Sequence, residues 1–254
     1  MPPQRNAKPF PYYYTMLKVP CGLDDCFLCQ HCIPEWKELI AIKKSTFVIK
    51  KGKSIFQIGE KVEGIFFIYS GAAKLHAPWG DDKELIIRFA TAGDIAGHRG
   101  LMSHARSNPG HPNPDTPDQT YPVSATALED TTVCFISNDF LEASLKANPS
   151  LTYTLMQFYA TELQKAENRM RNLTHQEVKG RIADALLDIS RTFGKNPDQF
   201  LAITLTRQDI ASYAGTTYET VFKFFTELIE KKIITTEGKN IKINQPATLA
   251  AYIK

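Results

Sequence analysis

The chain has 254 residues, 43% of them hydrophobic and 22% charged, with a formal net charge of +3. That is enough apolar material for a core in one large or two modest domains, and it excludes a broadly disordered chain. No apolar run approaches the roughly 20 residues that span a bilayer, and residues 1–11 lack the apolar segment of a secretory signal, so the expected location is the cytoplasm.

Residues 1–34 are expected to form an N-terminal arm, rich in Pro and Tyr up to residue 20 and then carrying Cys21, Cys26, Cys29 and Cys32. Cytoplasmic thiols stay reduced, so cysteines clustered in this way suggest a metal rather than disulfides. A short helix is predicted at about 35–43. It opens a sensor domain, 35–145, in which β-rich runs recur at 46–49, 54–58, 64–68, 72–76, 85–89 and 131–136. Gly- or Asp-bearing turns separate these runs, and short strands at that spacing predict an antiparallel barrel or roll. The roll is interrupted at 103–122, where Pro109, Pro112, Pro114, Pro117 and Pro122 predict a long loop.

Residues 139–173 turn helical. Met156, Tyr159, Leu163, Ala166, Met170 and Leu173 follow alternating steps of three and four, an a/d seam. Glu162, Gln164, Lys165, Glu167, Asn168, Arg169 and Arg171 leave the other faces polar. A narrow apolar seam on a polar helix suits a partner helix, so 146–175 is read as the dimerisation helix of a twofold homodimer.

The remainder, 176–254, begins with an amphipathic helix at 177–193 carrying Ile182, Leu186, Leu187 and Ile189, and closed by Gly194 and Pro197. Thr206 can cap the next helix, with Asp209 three residues on as a capping-box variant. Gly215 supplies the positive φ of an inter-helix turn, and Thr217 caps a second helix from Tyr218 to about Lys231. Val221, Phe224, Phe225, Leu228 and Ile229 mark its buried side. A hairpin follows, 233–236 and 241–243, turning at 237–240. Helix, Gly turn, helix and hairpin in this order predict a winged helix-turn-helix. Lys223, Lys231, Lys232, Lys239 and Lys242 nearly balance Glu219, Glu227, Glu230 and Glu237, so a DNA footprint depends on placement rather than on bulk charge.

The first turns of the second helix are the part expected in the major groove. Glu219 can accept from a cytosine amino group, and Lys223 can meet a guanine edge or a phosphate. Thr217 and Thr220 suit phosphate positioning. Phe222 either touches a thymine methyl or belongs to the core. Thr206, Arg207, Tyr218 and, on the wing, Lys239 complete the expected DNA-binding set. Catalysis is not expected: P-loop, Gly-x-Ser-x-Gly, His-Glu-x-x-His and Gly-x-Gly-x-x-Gly patterns are all missing, and Asp81-Asp82 lies on a turn where solvated carboxylates are ordinary.

Gly59-Glu60-Lys61-Val62-Glu63-Gly64-Ile65-Phe66-Phe67-Ile68-Tyr69-Ser70-Gly71 resembles the β-roll signature of the CRP/FNR regulators. Gly93-Asp94-Ile95-Ala96-Gly97 resembles their second turn, and Thr206-Arg207-Gln208-Asp209-Ile210-Ala211 with Tyr218-Glu219-Thr220-Val221 resembles their helix-turn-helix. The resemblance covers roughly 21–245. It implies an α+β fold: an N-terminal antiparallel β-roll of the cyclic-nucleotide-binding (jelly-roll) type, a long dimerisation helix and a C-terminal winged helix-turn-helix. It also implies a bacterial homodimer on a palindromic operator, its two recognition helices entering major grooves about 34 Å apart, and RNA polymerase as a further partner.

For the effector, the resemblance leaves several branches open. The cyclic-nucleotide branch uses a Gly-Glu turn and an Arg-Ser pair, whereas this chain has His98 after Gly97 and Tyr121-Pro122 at the second place; its own Arg106-Ser107 lies in the Pro-rich stretch. The FNR branch holds a 4Fe-4S cluster on three N-terminal cysteines and one in the roll. That implies Cys26, Cys29, Cys32 and Cys134 as ligands, with Cys21 spare, although the last spacing is shorter than the family's. Zinc, a thiol switch or no site at all are the rivals, with Cys134 then a small core residue. His31 is read as a surface residue. Haem on His98, with Met1-Pro2 resembling the proline ligand of a carbon-monoxide-sensing branch, is a further alternative.

Overall fold

The structure, a computed structural model, describes residues 15–17, 26–80, 83–99 and 120–253. Cys21, Met1-Pro2, Asp81-Asp82, Arg106-Ser107 and most of the predicted 103–122 loop lie outside the described residues. Two units emerge, Met1–Leu75 with Ala90–Leu155, and His76–Phe89 with Met156–Lys254.

In chain order the first elements are β1 (Thr15–Leu17), α1 (Phe27–His31), α2 (Pro34–Lys43), β2 (Ser45–Ile49), β3 (Ser54–Phe56), β4 (Gly64–Ser70), β5 (Ala72–Pro78), β6 (Glu84–Thr91), β7 (Ile95–Ala96), β8 (Ser124–Ala127) and β9 (Thr131–Ser137). They form two sheets, β1-β2-β9-β4-β7 and β3-β8-β5-β6. The pairings β1–β2, β2–β9, β3–β8, β4–β7 and β4–β9 are antiparallel. This is the roll. The β-branched and aromatic run of β4 fits a strand buried on both faces. Between the sheets lies an aromatic stack: Phe56 against Tyr121 at 4.2 Å and against Phe66 at 5.6 Å, with Phe135 5.1 Å from Phe66. The Tyr121 hydroxyl donates to the Gly64 carbonyl at 2.9 Å. Gly64 has no room for a side chain, since a Cβ there would sit 2.1 Å from the Ile136 carbonyl oxygen.

The rest is helical with one hairpin: α3 (Asn138–Ala147), α4 (Pro149–His175), α5 (Val178–Phe193), α6 (Arg207–Ala214), α7 (Tyr218–Glu230), β10 (Ile234–Glu237), β11 (Asn240–Ile243) and α8 (Pro246–Ala250). The helical stretch expected at 139–173 divides at Asn148-Pro149, because the residue before a proline is pushed out of the helical region. The core of the second unit is the buried face of α5 (Ile182, Ala183, Leu186, Ile189) with Ile210, Val221, Phe224, Phe225 and Leu228. Each of the large side chains among them contributes on the order of 2 kcal/mol by leaving water. Ile229, expected on that buried side, is exposed: it falls at the edge of the 3.6-residue stripe. α1, within the cysteine segment, and β8 were not expected as regular elements; both are short, and neither has a long enough pattern to show a period.

Candidate nucleic-acid interface and cysteine cluster

α6 starts on a complete capping box. The Thr206 hydroxyl accepts from the Asp209 N–H at 3.0 Å, and the Asp209 carboxylate accepts from the Thr206 N–H at 3.0 Å. Such a cap contributes about 1 kcal/mol. It also commits the Thr206 hydroxyl, which donates to Asp209 as well. α6 ends at Gly215, whose φ of +62° is left-handed and whose N–H returns to the Ala211 carbonyl. Two residues later Thr217 caps α7, its hydroxyl accepting from the Thr220 N–H.

The buried face of α7 leaves Tyr218, Glu219, Phe222, Lys223 and Thr226 as one exposed stripe over the first turns. Glu219 is held below the usual carboxylate range, first by its own backbone N–H, then by the Thr217 hydroxyl, with Lys83 and Lys223 adding to it. An ionised acceptor therefore stands at the helix N-terminus, where the dipole favours it. Phe222 is 52% exposed, which settles the choice between core and surface. Arg207 lies with its guanidinium 4.5 Å from the centre of the Phe225 ring, a position that holds it against the middle of α7. Lys239 is exposed in the turn of the β10–β11 hairpin. Thr217, Tyr218, Glu219, Thr220, Phe222 and Lys223 thus lie together on or beside the start of α7; Thr206 and Arg207 are at the start of α6, and Lys239 is on the wing.

Behind this face is a network that residue patterning did not suggest. Arg169 of α4, expected on a solvated face, is half-buried and bonded to backbone carbonyls. Its guanidinium donates to the carbonyls of Ile86, Ile87 and Tyr213. The Tyr213 hydroxyl donates to Asp188, and the Tyr213 ring meets Phe89 at 4.6 Å. Burial draws the Arg169 pKa down, opposed by Tyr213, Asp188 and Asp184. The expectation failed because a polar helical position shows no partner until another element supplies carbonyls. Along the same helix Met156, Leu163, Met170 and Leu173 of the a/d seam are exposed, as is Ala166, while Tyr159 is half-buried.

The four described cysteines are all buried. Cys26 is the N-cap of α1, Cys29 lies within it, and Cys32 follows its end. The segment is tied down by the Ile33 N–H donating to Asn148 Oδ1 at 2.9 Å and by Trp36 Nε1 donating to Ser144 Oγ at 2.9 Å. Trp36 also stacks on Phe140 of α3, a helix that contacts β4 and β9. Cys134 on β9 pairs with Thr46 and with Phe67 across the sheet. By strand alternation it faces away from Phe135 and the aromatic stack, and it is buried all the same. Burial pushes the Cys32 thiol up to about 11, the nearby Cys26 adds to this, and Lys37 opposes it.

Four buried thiols fit an iron–sulfur or zinc group in donor type. Among the described residues, no three His, Cys, Asp or Glu side chains stand close enough to hold a metal as they are. His31 is half-buried, its ring 5.0 Å from Phe27. His98 is buried. Tyr121, at the position that the sequence sets against the Arg-Ser pair of the cyclic-nucleotide branch, turns its ring into the aromatic stack.

Residues 46–148 match the cyclic nucleotide-binding domain, and residues 180–252 match the Crp-like helix-turn-helix domain. The transcriptional activator protein anr of Pseudomonas aeruginosa is 30% identical over 236 residues, spanning 89% of this chain and 90% of that protein. The fumarate and nitrate reduction regulatory protein of Salmonella typhimurium is 28% identical over 236 residues, covering 89% of this chain and 88% of its own. The structure of FixK2 from Bradyrhizobium japonicum shares the fold, with a TM-score of 0.68 at 23% identity over 83% of this chain and 98% of that one. The first two are named as a transcriptional activator and a regulatory protein. With its roll and its winged helix in the same order, the chain belongs to the CRP/FNR family of DNA-binding transcription regulators.

Proposed function

We propose that the protein acts as a homodimer on a palindromic operator, and that occupancy of its N-terminal cysteines governs DNA affinity. The observation that carries the reading is the capped α6–Gly215–α7 unit with its exposed polar stripe. In this reading Glu219 and Lys223 address base edges and Thr217 and Thr220 address phosphates. Arg207, Tyr218, Phe222 and Lys239 extend the contact, and Thr206 acts through the cap that sets α6. The exposed seam of α4 supports pairing, with the working divisions at 1–34, 35–145, 146–175 and 176–254. Family membership supports a cytoplasmic setting and contact with RNA polymerase.

Cys26, Cys29, Cys32 and Cys134 would hold the group, with Cys21 in reserve; their burial and the likeness to the Anr and fumarate and nitrate reduction regulators support this set. A 4Fe-4S cluster, when bound, supplies an oxygen-labile centre. The chain's part is to anchor the cysteine segment through Ile33 and Trp36 and to exclude water by burial. Closing of the thiols would shift the dimer population.

The full-length protein, purified without air, is tested on duplexes selected from a random pool across a salt series, alongside iron and acid-labile sulfide assays. Sequence-selective, salt-sensitive binding is expected, with iron and sulfide present. Equal affinity for all duplexes would sink the DNA reading. Iron-free protein with full affinity would sink the cluster alone.

A further inference from the structure

α7 carries an apolar patch that the core does not use. Val221, Phe224, Phe225 and Leu228 already complete its buried face, yet Phe222 is 52% and Tyr218 44% exposed. The two residues are one helical turn apart, and their rings lie 6.3 Å apart with planes 24° from parallel. Each aromatic side chain offers on the order of 150–250 Å² of surface. Glu219 and Lys223 flank the pair on the same stripe. An apolar island between an acceptor and a donor matches the composition of a major-groove edge, where hydrogen-bonding groups alternate with a single apolar one. That apolar group is the C5-methyl of thymine, which the other three bases lack.

Resting on the reading of α7 as the recognition helix, we propose that Phe222, held by Tyr218, reads a thymine C5-methyl group in each operator half-site. Tyr218 acts as a positioning residue: its ring restricts the rotation of Phe222, so the face presented to the groove is set before binding. The neighbouring Glu219 and Lys223 fix the register, and Phe222 separates thymine from cytosine at its own position. This gives α7 a hydrophobic readout beside its polar one.

The test needs no knowledge of the natural operator. The wild-type protein, prepared without air, selects its best duplex from a random pool. Each thymine of the half-site is then replaced by deoxyuridine, which removes only the methyl group. At one position in each half-site the wild type is expected to bind about fourfold more weakly, the effect of returning one methyl group to water, and about fifteenfold when both half-sites are changed. Phe222→Ser should bind the thymine and uracil duplexes alike, and Phe222→Leu should keep part of the difference. Thermal unfolding checks that both variants fold, as the exposure of Phe222 leads one to expect. Equal binding of thymine and uracil duplexes by the wild type, or a methyl effect that survives in Phe222→Ser, overturns the proposal while leaving DNA recognition intact. Loss of sequence-selective binding in the wild type itself overturns both.

Discussion

The Arg169 guanidinium lies 4.4 Å from the centre of the Tyr213 ring and donates to the Tyr213 carbonyl, so one side chain of α4 grips the end of α6 by both its face and its backbone. The same guanidinium reaches the carbonyls of Ile86 and Ile87 on β6. Arg169→Ala would strip three part-buried carbonyls of a charged donor. The expected cost is about 2–4 kcal/mol, read as a thermal midpoint lower by roughly 2–4 °C for each kcal/mol. Arg169→Lys should recover only part of it, because an ammonium cannot fork between three acceptors. DNA affinity should fall in parallel. An unchanged midpoint would show that the network is incidental.

Gly215 sits at a left-handed φ of +62°, and a Cβ there would come within 2.7 Å of Leu173 Cδ2. Gly215→Ala therefore pays about 1–2 kcal/mol of backbone strain, and Leu173 must also shift. The expected outcome is a lower unfolding midpoint with weaker DNA binding, since this turn sets α7 against α6. Calorimetry and a binding titration on the same preparation would check it.

The seam on α4 makes a prediction about assembly. Leu163 is 61% exposed, so Leu163→Glu should leave the fold intact while placing like charges opposite one another in a twofold pair. Sedimentation is expected to show monomer, with operator affinity reduced by at least tenfold. Gln164→Glu, off the seam, should leave both unchanged. A dimer that survives Leu163→Glu would place the interface elsewhere.

Glu227 bridges α5 and α7, with Lys179 at 2.5 Å and Lys231 at 2.7 Å. Hydrogen bonds from these two lysines lower its pKa from the ordinary 4.5 to about 2. Because the folded-state value is the lower one, ionised Glu227 stabilises the protein above about pH 4.5, and that contribution disappears as the pH falls towards 2. The bridge is largely solvated, so the effect is expected to be under about 1 kcal/mol. Glu227→Gln should therefore unfold at a slightly lower temperature than the wild type at pH 7. The two midpoints should converge as acid is added, and a gap constant down to pH 2.5 would refute the linkage.

Much of this is legible in the amino-acid sequence. Thr206, Asp209, Gly215 and Thr217 announce the ends of α6 and α7 because capping and positive φ are local demands, met by neighbours in sequence. The signature around Gly59–Gly71 points to the roll, and short β-rich runs between Gly- or Asp-bearing turns mark most of its strands. Burial was less legible wherever the deciding partner is remote. Arg169 looked like one more solvated residue of a polar helix, and nothing in its neighbourhood points to Ile86 or Tyr213, 83 and 44 residues away.

Phe222 shows the same division at single-residue scale. The amino-acid sequence by itself determined that a capped, amphipathic α7 follows a glycine turn, because helix period and caps depend on residues a few positions apart. It placed Phe222 between Val221 and Phe224 without deciding its face. Only the tertiary structure decided that, since exposure depends on how far the helix is rotated about its axis when Val221, Phe224, Phe225 and Leu228 pack against the rest of the second unit. The four thiols obey the same rule: their spacing is local, whereas their burial comes from the sheet and from the contacts of Ile33 and Trp36 with Asn148 and Ser144.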